Sequence, residues 1–159
     1  MGLLTLLLGL VGCDSKRISE LQVGVSTEAD VRTLFGQPKN VWDGPGGSRI
    51  FEYNRQPEGA RNYMITIGPD GRMTALSQVL TPENFARVTP GMSMEDVRRL
   101  LGEPMKKTTY PLKGDTHYEW RWLDGANTLM IFSAVMDKDL RVTNTGSMRD
   151  PESDGLRVK

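Results

Sequence analysis

A nine-residue pattern occurs twice in this chain and constrains its fold more than any other feature. Residues 30–38 read DVRTLFGQP, and residues 96–104 read DVRRLLGEP, 66 positions further along. Such a repeat sets the size of the folding unit before any secondary structure is assigned. We therefore predict two copies of one small unit, the first over residues 13–80 and the second over residues 81–147.

Each copy is predicted to contain a short helix followed by a longer one. Thr27 and Ser93 suit the N-cap of the longer helix, because each hydroxyl precedes an aspartate by three residues. Gly36 and Gly102 end these helices, and a proline lies two positions beyond each glycine. Apolar residues form one stripe on each helix, at positions 31, 34 and 35 and at positions 97, 100 and 101.

Alternating aromatic residues after each longer helix predict antiparallel strands. Phe51 and Tyr53 align with Tyr118 and Trp120 of the second copy. Residues two apart in a strand face the same side of a sheet, so these rings are expected to fill the space between sheet and helix. The predicted class is α+β, with a helical pair on a three- to four-stranded antiparallel sheet in each tandem copy. Residues 148–159 contain few apolar side chains and are predicted to form a loose tail.

The first residues resemble the signal peptide of a bacterial lipoprotein. The apolar run from Leu3 to Leu10 is too short to span a bilayer and suits the apolar region of a signal peptide. The next residues, through Val11 and Gly12 to Cys13, resemble a lipobox, in which the cysteine is acylated and becomes the N-terminus. Residues 1–12 are therefore predicted to be a lipoprotein signal peptide, and Cys13 the lipidation site that anchors the chain to a membrane.

The composition argues against several kinds of partner and site. Twenty basic and twenty acidic side chains give a formal net charge of zero, which lacks the basic excess typical of nucleic-acid binding. Cys13 is the only cysteine, so neither an intramolecular disulfide nor a multi-cysteine metal site is available. We expect no cofactor, no metal ion and no nucleic-acid partner.

Two features suggest chemistry, and each has a simpler structural interpretation. His117 and Glu119 share one strand face, but acid–base catalysis needs a further positioned group that the sequence does not supply. We expect a half-exposed strand face there and predict that the chain is not an enzyme. Residues 43–48 are glycine-rich, but a phosphate-binding loop lies between a strand and a helix, whereas strands are predicted on both sides here. A hairpin loop is therefore the prediction.

Two tryptophans are the candidate partner-binding residues. Trp42 and Trp122 have no clear counterpart in the other copy, unlike the aromatic residues assigned to the core. Exposed tryptophan is often an anchor of protein–protein contacts. We therefore predict that both side chains are exposed and contact a partner.

The order of motifs resembles the SmpA/OmlA family of BamE-like outer-membrane lipoproteins. The shared order is a short helix, Gly-x-Ser/Thr, a helix, Leu-x-Gly-x-Pro and then aromatic-x-aromatic. In the second copy, the closer match, the residues are Gly91, Met92, Ser93, Val97, Leu100, Gly102, Pro104, Tyr118 and Trp120. In the first copy they are Gly24, Asp30, Val31, Leu34, Gly36, Pro38, Phe51 and Tyr53.

This resemblance implies a periplasm-facing lipoprotein that assists the machinery folding outer-membrane β-barrels. The implied role is a non-enzymatic protein-binding module in outer-membrane protein assembly or envelope integrity, with envelope proteins, the β-barrel assembly machinery among them, as partners. A tandem of this fold also resembles the β-lactamase inhibitory proteins, which clamp a partner enzyme. The alternative function is thus a clamp-like inhibitor or carrier of one soluble periplasmic protein, favoured if Trp42 and Trp122 share one concave sheet surface.

The predicted location follows from the family and from one residue. The family implies an anchor in the outer membrane, on its periplasmic face. Asp14 directly after the acylated cysteine resembles an inner-membrane retention signal instead. The outer membrane is the prediction, and the inner membrane stays open as the alternative.

Overall fold

The computed structural model describes residues 13–154. The predicted signal peptide over residues 1–12 and the last residues of the predicted tail lie outside this range. The first half contains two helices and four strands: α1 Cys13–Ser19, α2 Glu28–Phe35, β1 Asn40–Asp43, β2 Arg49–Asn54, β3 Asn62–Ile67 and β4 Met73–Gln78. The second half has the same order: α3 Pro82–Ala86, α4 Met94–Leu101, β5 Lys106–Tyr110, β6 Asp115–Leu123, β7 Leu129–Met136 and β8 Val142–Arg149.

The strands form two separate four-stranded antiparallel sheets. Their orders are β1-β2-β3-β4 and β5-β6-β7-β8, so each strand pairs with its neighbours along the chain. Each sheet has a helix packed on one face, which confirms the α+β class. The glycine-rich segment lies where the predicted hairpin loop requires it, with Asp43 at the end of β1 and residues 44–48 connecting β1 to β2.

The longer helix of each half begins directly after its predicted N-cap residue. Thr27 accepts a hydrogen bond from the backbone N–H of Asp30, and the Asp30 carboxylate accepts one in return from the Thr27 backbone. Ser93 and Asp96 make the same exchange at the start of α4. The backbone N–H of Thr27 lowers the pKa of Asp30 below its ordinary value, as expected for a carboxylate at the positive end of a helix.

The helix ends are held by an aromatic side chain from the second strand of each sheet. The Tyr53 hydroxyl donates to the Gly36 carbonyl oxygen at 3.0 Å, and Trp120 Nε1 donates to the Gly102 carbonyl oxygen at 3.0 Å. Burial raises the pKa of Tyr53 to about 12, so this hydroxyl keeps its proton and remains a donor at neutral pH. Each bond satisfies a carbonyl that the helix itself leaves unpaired.

The apolar cores lie between each helix and its sheet. In the first half the core is Val31, Phe35, Phe51, Tyr53, Tyr63, Ile65, Ile67 and Met73. In the second half it is larger and comprises Leu80, Phe85, Val88, Val97, Leu101, Tyr118, Trp120, Trp122, Phe132, Ala134, Met136 and Val142. The paired aromatic residues at 51, 53, 118 and 120 are buried in these cores, as the alternating pattern predicts.

The predicted loose tail is wrong for the residues that are described after position 147. Strand β8 continues to Arg149, and Asp150 is buried. The Asp150 carboxylate accepts from Arg121 Nε at 2.6 Å, and its backbone N–H donates to the Leu129 carbonyl. Polar composition alone did not reveal this anchor, because the ion-pair partner of Asp150 is Arg121, 29 residues away on β6.

Candidate functional site

The two halves meet at a polar seam, which is where Trp42 lies. The seam is the contact between the C-terminal end of α4 and the outer face of the first sheet, the face opposite its core. Its residues are Trp42, Glu52, Asn62, Arg98, Arg99, Gly102 and Glu103. Trp42 is half-buried, with the Arg99 guanidinium 4.5 Å from its ring centroid. Trp42 thus contacts the chain's own second half, and its contact with a partner stays a prediction.

A buried carboxylate lies at the centre of the seam. Glu52 has no exposed surface, and it accepts hydrogen bonds from three groups. The donors are the Arg98 guanidinium at 3.3 Å, Trp42 Nε1 at 3.1 Å and the Glu103 backbone N–H at 2.9 Å. A buried charge is tolerated only when it is paired and hydrogen-bonded in this way. Glu52 therefore ties β1, β2 and the end of α4 together.

Asn62 fastens the end of α4 to the first sheet. Its side-chain N–H groups donate to the carbonyls of Leu101 at 2.9 Å and Glu103 at 3.1 Å. An added Cβ on Gly102 would lie 2.9 Å from Asn62 Nδ2, so this close approach requires glycine. An added Cβ on Gly36, the equivalent residue of the first half, would meet nothing within 4 Å. Gly102 is therefore required at the seam both for its positive φ and for the close packing against Asn62.

The backbone of β6 is also bound by the first half. The Gln56 side chain donates to the Arg121 carbonyl at 2.7 Å and accepts from the Arg121 N–H at 3.1 Å. Arg121 Nη1 donates to the Pro57 carbonyl at 3.1 Å. The loop between β2 and β3 thus holds the end of β6 through hydrogen bonds to both backbone and side chain.

The expected exposure of Trp122 is wrong. Its side chain is 7% exposed, and its ring centroid lies 5.0 Å from that of Phe85 on α3. β6 continues past Trp120, so Trp122 faces the helix layer two residues further on. Trp42 lies on the outer face of one sheet and Trp122 on the inner face of the other. The two rings therefore do not share a concave sheet surface.

His117 and Glu119 lie on the outer face of β6, opposite the buried Tyr118 and Trp120. The half-exposed strand face predicted there is confirmed. His117 Nε2 is 3.7 Å from an Asp115 carboxylate oxygen, and its ring lies 4.8 Å from the Tyr110 ring centroid. Within residues 13–154, no group of three or more His, Cys, Asp or Glu side chains is placed to hold a metal ion.

The residue after the predicted lipidation site is held by an arginine in the loop that follows β2. Cys13 begins α1, and the Asp14 carboxylate accepts from Arg55 Nε at 3.0 Å and from Arg17 at 3.2 Å. Beside this ion pair is a cleft of about 710 Å³. Its lining includes Asp14, Arg55, Gln56, Arg61, Tyr63 and Leu123. None of the helices in the described range is long and apolar enough to cross a membrane.

The ion pairs of Asp14 predict how the free energy of unfolding depends on pH. Burial acts to raise the pKa of Asp14, but the hydrogen bonds and charges of Arg55 and Arg17 outweigh it, and the pKa is lowered. A carboxyl group with a lowered folded-state pKa stabilises the fold above its unfolded pKa, and this contribution disappears as the pH falls through the folded value. We expect Asp14→Asn to reduce the free energy of unfolding by about 0.5–1 kcal/mol near neutral pH. The difference from wild type should shrink as the pH falls below the usual titration range of aspartate and through the lowered pKa of Asp14.

Urea unfolding at a series of pH values measures this effect. Asp43→Asn is the matched control, because Asp43 is exposed at the end of β1. A loss of stability in Asp14→Asn that stays constant down to low pH would show that the ion pairs are not its cause.

The hairpin between β5 and β6 exposes apolar residues that the sequence analysis did not single out. Leu112 is fully exposed, and Tyr110 is 41% exposed. Lys106, Lys107 and Lys113 lie on the same hairpin. The sequence signal for this exposure is the run Tyr-Pro-Leu at residues 110–112, because turns usually carry polar residues.

The following three proteins are among the solved structures that match the chain, each at low sequence identity. A DUF4309 family protein from Bacillus subtilis is 19% identical, with a TM-score of 0.32 and 82% of each chain covered. A candidate β-lactamase inhibitor protein from Streptococcus mutans is 12% identical, with a TM-score of 0.33, covering 84% of this chain and 94% of that one. An extracellular protein from Bacillus anthracis that contains an SCP domain is 10% identical, with a TM-score of 0.34. The match covers 96% of this chain and 51% of that protein.

A comparison with sequence families gives a more specific result. No curated protein sequence matches the chain. The family model described as the outer membrane protein assembly factor BamE domain matches residues 77–118. This segment contains α3, α4, β5, the exposed hairpin and the start of β6. Residues 77–118 thus match the BamE domain, in agreement with the resemblance seen in the second copy of the sequence motif.

Proposed function

We propose that this protein is a periplasm-facing lipoprotein that binds other envelope proteins and supports outer-membrane protein assembly or envelope integrity without catalysing a reaction. The observation that carries the proposal is the BamE domain match over residues 77–118. The lipobox-like residues before Cys13 agree with it, because members of such a family are anchored lipoproteins. The partners proposed are envelope proteins, the β-barrel assembly machinery among them.

We infer further that the chain contains two copies of one BamE-like unit, over residues 13–80 and 81–147. Three local features support this inference. The halves share one element order, each longer helix begins with the same reciprocal cap, and an aromatic donor binds the glycine at each helix end. The clamp-like alternative has no comparable support, since Trp42 and Trp122 lie on different faces of different sheets.

A crosslinked pull-down from native envelopes, read by mass spectrometry, tests the proposed role. The bait is the full chain with Cys13 intact. Enrichment of the β-barrel assembly machinery or of its barrel substrates is the expected result. One dominant soluble periplasmic protein would instead favour the clamp-like inhibitor or carrier, and recovery of no envelope protein would contradict the binding role.

Membrane fractionation tests the anchor. Cys13→Ser is expected to move the protein from the membrane fraction to the soluble fraction, because the serine cannot form the thioether that carries the diacylglyceryl group. Ser15→Ala is a suitable control, since it leaves the cysteine in place. Unchanged fractionation of Cys13→Ser would contradict the lipoprotein assignment. Separation of the inner and outer membranes on a density gradient then decides between the two locations left open by Asp14.

A further inference from the structure

We propose that the cleft beside Asp14 binds a small organic carboxylate that has an apolar body about the size of one ring. The carboxylate is received by the Arg61 guanidinium and the Tyr63 hydroxyl, and the apolar body lies towards Leu123. This site goes beyond the protein-binding role proposed above and does not depend on it.

The cleft lies where the second half of the chain is filled by aromatic packing. The two sheets share one register at this point, because Tyr53 lies opposite Tyr63 and Trp120 lies opposite Phe132. Tyr63 is thus the counterpart of Phe132. In the second half, Phe132 stacks on Phe85 of α3, with ring centroids 4.2 Å apart. The first half keeps a ring at this position but adds a hydroxyl group.

Two arginines replace the neighbouring apolar residues of this packing. In the second half, Trp122 lies opposite Met130, and both pack in the core. Their counterparts in the first half are Arg55 and Arg61, which are joined by a hydrogen bond from the Arg55 N–H to the Arg61 carbonyl at 3.2 Å. Both arginines line the cleft. Since the second half folds with apolar side chains at these positions, the fold does not require the two guanidinium groups.

The Tyr63 hydroxyl is buried without a hydrogen-bond partner. Tyr63 is 1% exposed and lines the cleft, and its hydroxyl has no partner among residues 13–154. Leaving a buried polar group unpaired costs free energy. On the same sheet, the Tyr53 hydroxyl is paired with the Gly36 carbonyl. An acceptor group that enters the cleft would give Tyr63 the partner that the chain itself does not supply.

The charges of the cleft favour an anion. The Asp14 carboxylate is already paired with Arg55 and Arg17. Arg61 is exposed, and within the described part of the chain its guanidinium makes no ion pair. A free guanidinium and a free hydroxyl in one cleft suit a carboxylate, which only accepts hydrogen bonds. Glu58 also lines the cleft and is exposed, so its charge should weaken the binding of an anion.

The size of the cleft indicates that the anion carries an apolar body. The volume of about 710 Å³ lies within the range of roughly 300–1,000 Å³ that is usual for small-molecule sites. Leu123 and Ala60 supply apolar side chains to its wall. At the equivalent place in the second half, the Trp122 indole packs 5.0 Å from the Phe85 ring centroid. A ring-sized apolar group therefore suits this space better than a bare inorganic anion does.

Calorimetric titration of the purified full chain tests the site. The probes are 3-phenylpropanoate, its neutral analogue 3-phenylpropan-1-ol, and inorganic phosphate. We expect 3-phenylpropanoate to bind at least tenfold more tightly than either of the other two. No binding of this acid at millimolar concentrations, or equal binding of the acid and the alcohol, would overturn the proposal. Tightest binding of phosphate would also overturn it, because the apolar body would then have no role.

Substitutions taken from the second half locate the binding. Tyr63→Phe and Arg61→Met each introduce the residue type found at the equivalent position there, and each should weaken binding of 3-phenylpropanoate by about tenfold. Glu58→Gln should strengthen binding, because it removes a like charge. Lys138→Gln, in the exposed turn between β7 and β8, is the matched control for loss of one positive charge. Unchanged affinity in Tyr63→Phe and Arg61→Met would overturn the proposal.

Stability measurements separate a ligand site from a structural role. Tyr63→Phe removes an unpaired buried group, so its free energy of unfolding should equal or exceed that of wild type. Tyr53→Phe is the comparison, because it removes a hydroxyl that is hydrogen-bonded. Equal destabilisation by the two substitutions would show that the Tyr63 hydroxyl serves the fold, and would overturn the proposal.

A pull-down from native envelopes keeps this inference separate from the proposed function. The variant that combines Arg61→Met with Tyr63→Phe should capture the same envelope proteins as the wild-type chain while losing the affinity for 3-phenylpropanoate. Loss of that capture would assign the cleft to a carboxylate on a protein partner and overturn the small-molecule site. Failure of both chains to capture any envelope protein would contradict the binding role and leave the result of the titration standing.

Discussion

Replacing Glu52 with alanine is expected to lower the free energy of unfolding by about 3 kcal/mol. Glu52 is fully buried, and its carboxylate accepts from Arg98, Trp42 and the Glu103 backbone. Its removal leaves these donors unpaired at the seam. The Arg98 side chain keeps 29% exposure and regains some water, which places the loss near the lower end for a broken buried ion pair. Urea unfolding near neutral pH measures the change.

The second half of the chain supplies the matched control. Glu119 occupies the position in β6 that Glu52 occupies in β2, but it is only half-buried, and its carboxylate contacts no donor among residues 13–154. Glu119→Ala should therefore change the free energy of unfolding by about 0.5 kcal/mol or less. Equal losses in the two variants would show that the contribution of Glu52 does not come from the seam.

Replacing Trp122 with alanine is expected to cost about 3–5 kcal/mol of stability, because a buried indole leaves a cavity beneath Phe85. Trp122→Phe should cost much less. Trp122 Nε1 is buried without a hydrogen-bond partner in the described part of the chain, so phenylalanine removes an unsatisfied donor as well as some volume. Chemical denaturation of both variants gives the comparison.

Trp120→Phe is the control for this second prediction. This substitution removes a similar volume, and it also removes the hydrogen bond from Nε1 to the Gly102 carbonyl. The Gly102 carbonyl oxygen is then left without this donor in a buried site. Its cost should exceed that of Trp122→Phe by about 1–2 kcal/mol. If Trp122→Ala leaves stability unchanged, the ring is not part of the core, and the original expectation of an exposed contact residue regains support.

Local patterns predicted most of the secondary structure because local chemistry controls it. The reciprocal caps at Thr27 and Ser93 and the glycines at 36 and 102 mark the bounds of the longer helices, and the structure has them there. Alternating aromatic residues correctly identified the buried faces of β2 and β6. Each of these signals acts within a few residues and needs no knowledge of the rest of the chain.

The candidate site residues were predicted less well, because exposure depends on distant neighbours. Absence of a counterpart in the other copy made Trp122 look like a surface residue, yet β6 is longer than β2 and carries it under α3. Trp42 does lie at a contact, but that contact is made by α4 of the same chain. The exposed side chain of Leu112, between β5 and β6, was not identified, although an apolar residue at a turn is visible in the sequence.

The sequence by itself determined the bounds of the longer helices, the alternation of the strands and the aromatic faces that each sheet buries. Only the tertiary structure decided which of the two sheets would have its outer face covered by the other half of the chain. Glu52 and Glu119 occupy equivalent positions on similar strands, but the end of α4 covers one and leaves the other half-exposed. Local propensity cannot distinguish them, because burial of the second face depends on how one half docks on the other across many residues of chain.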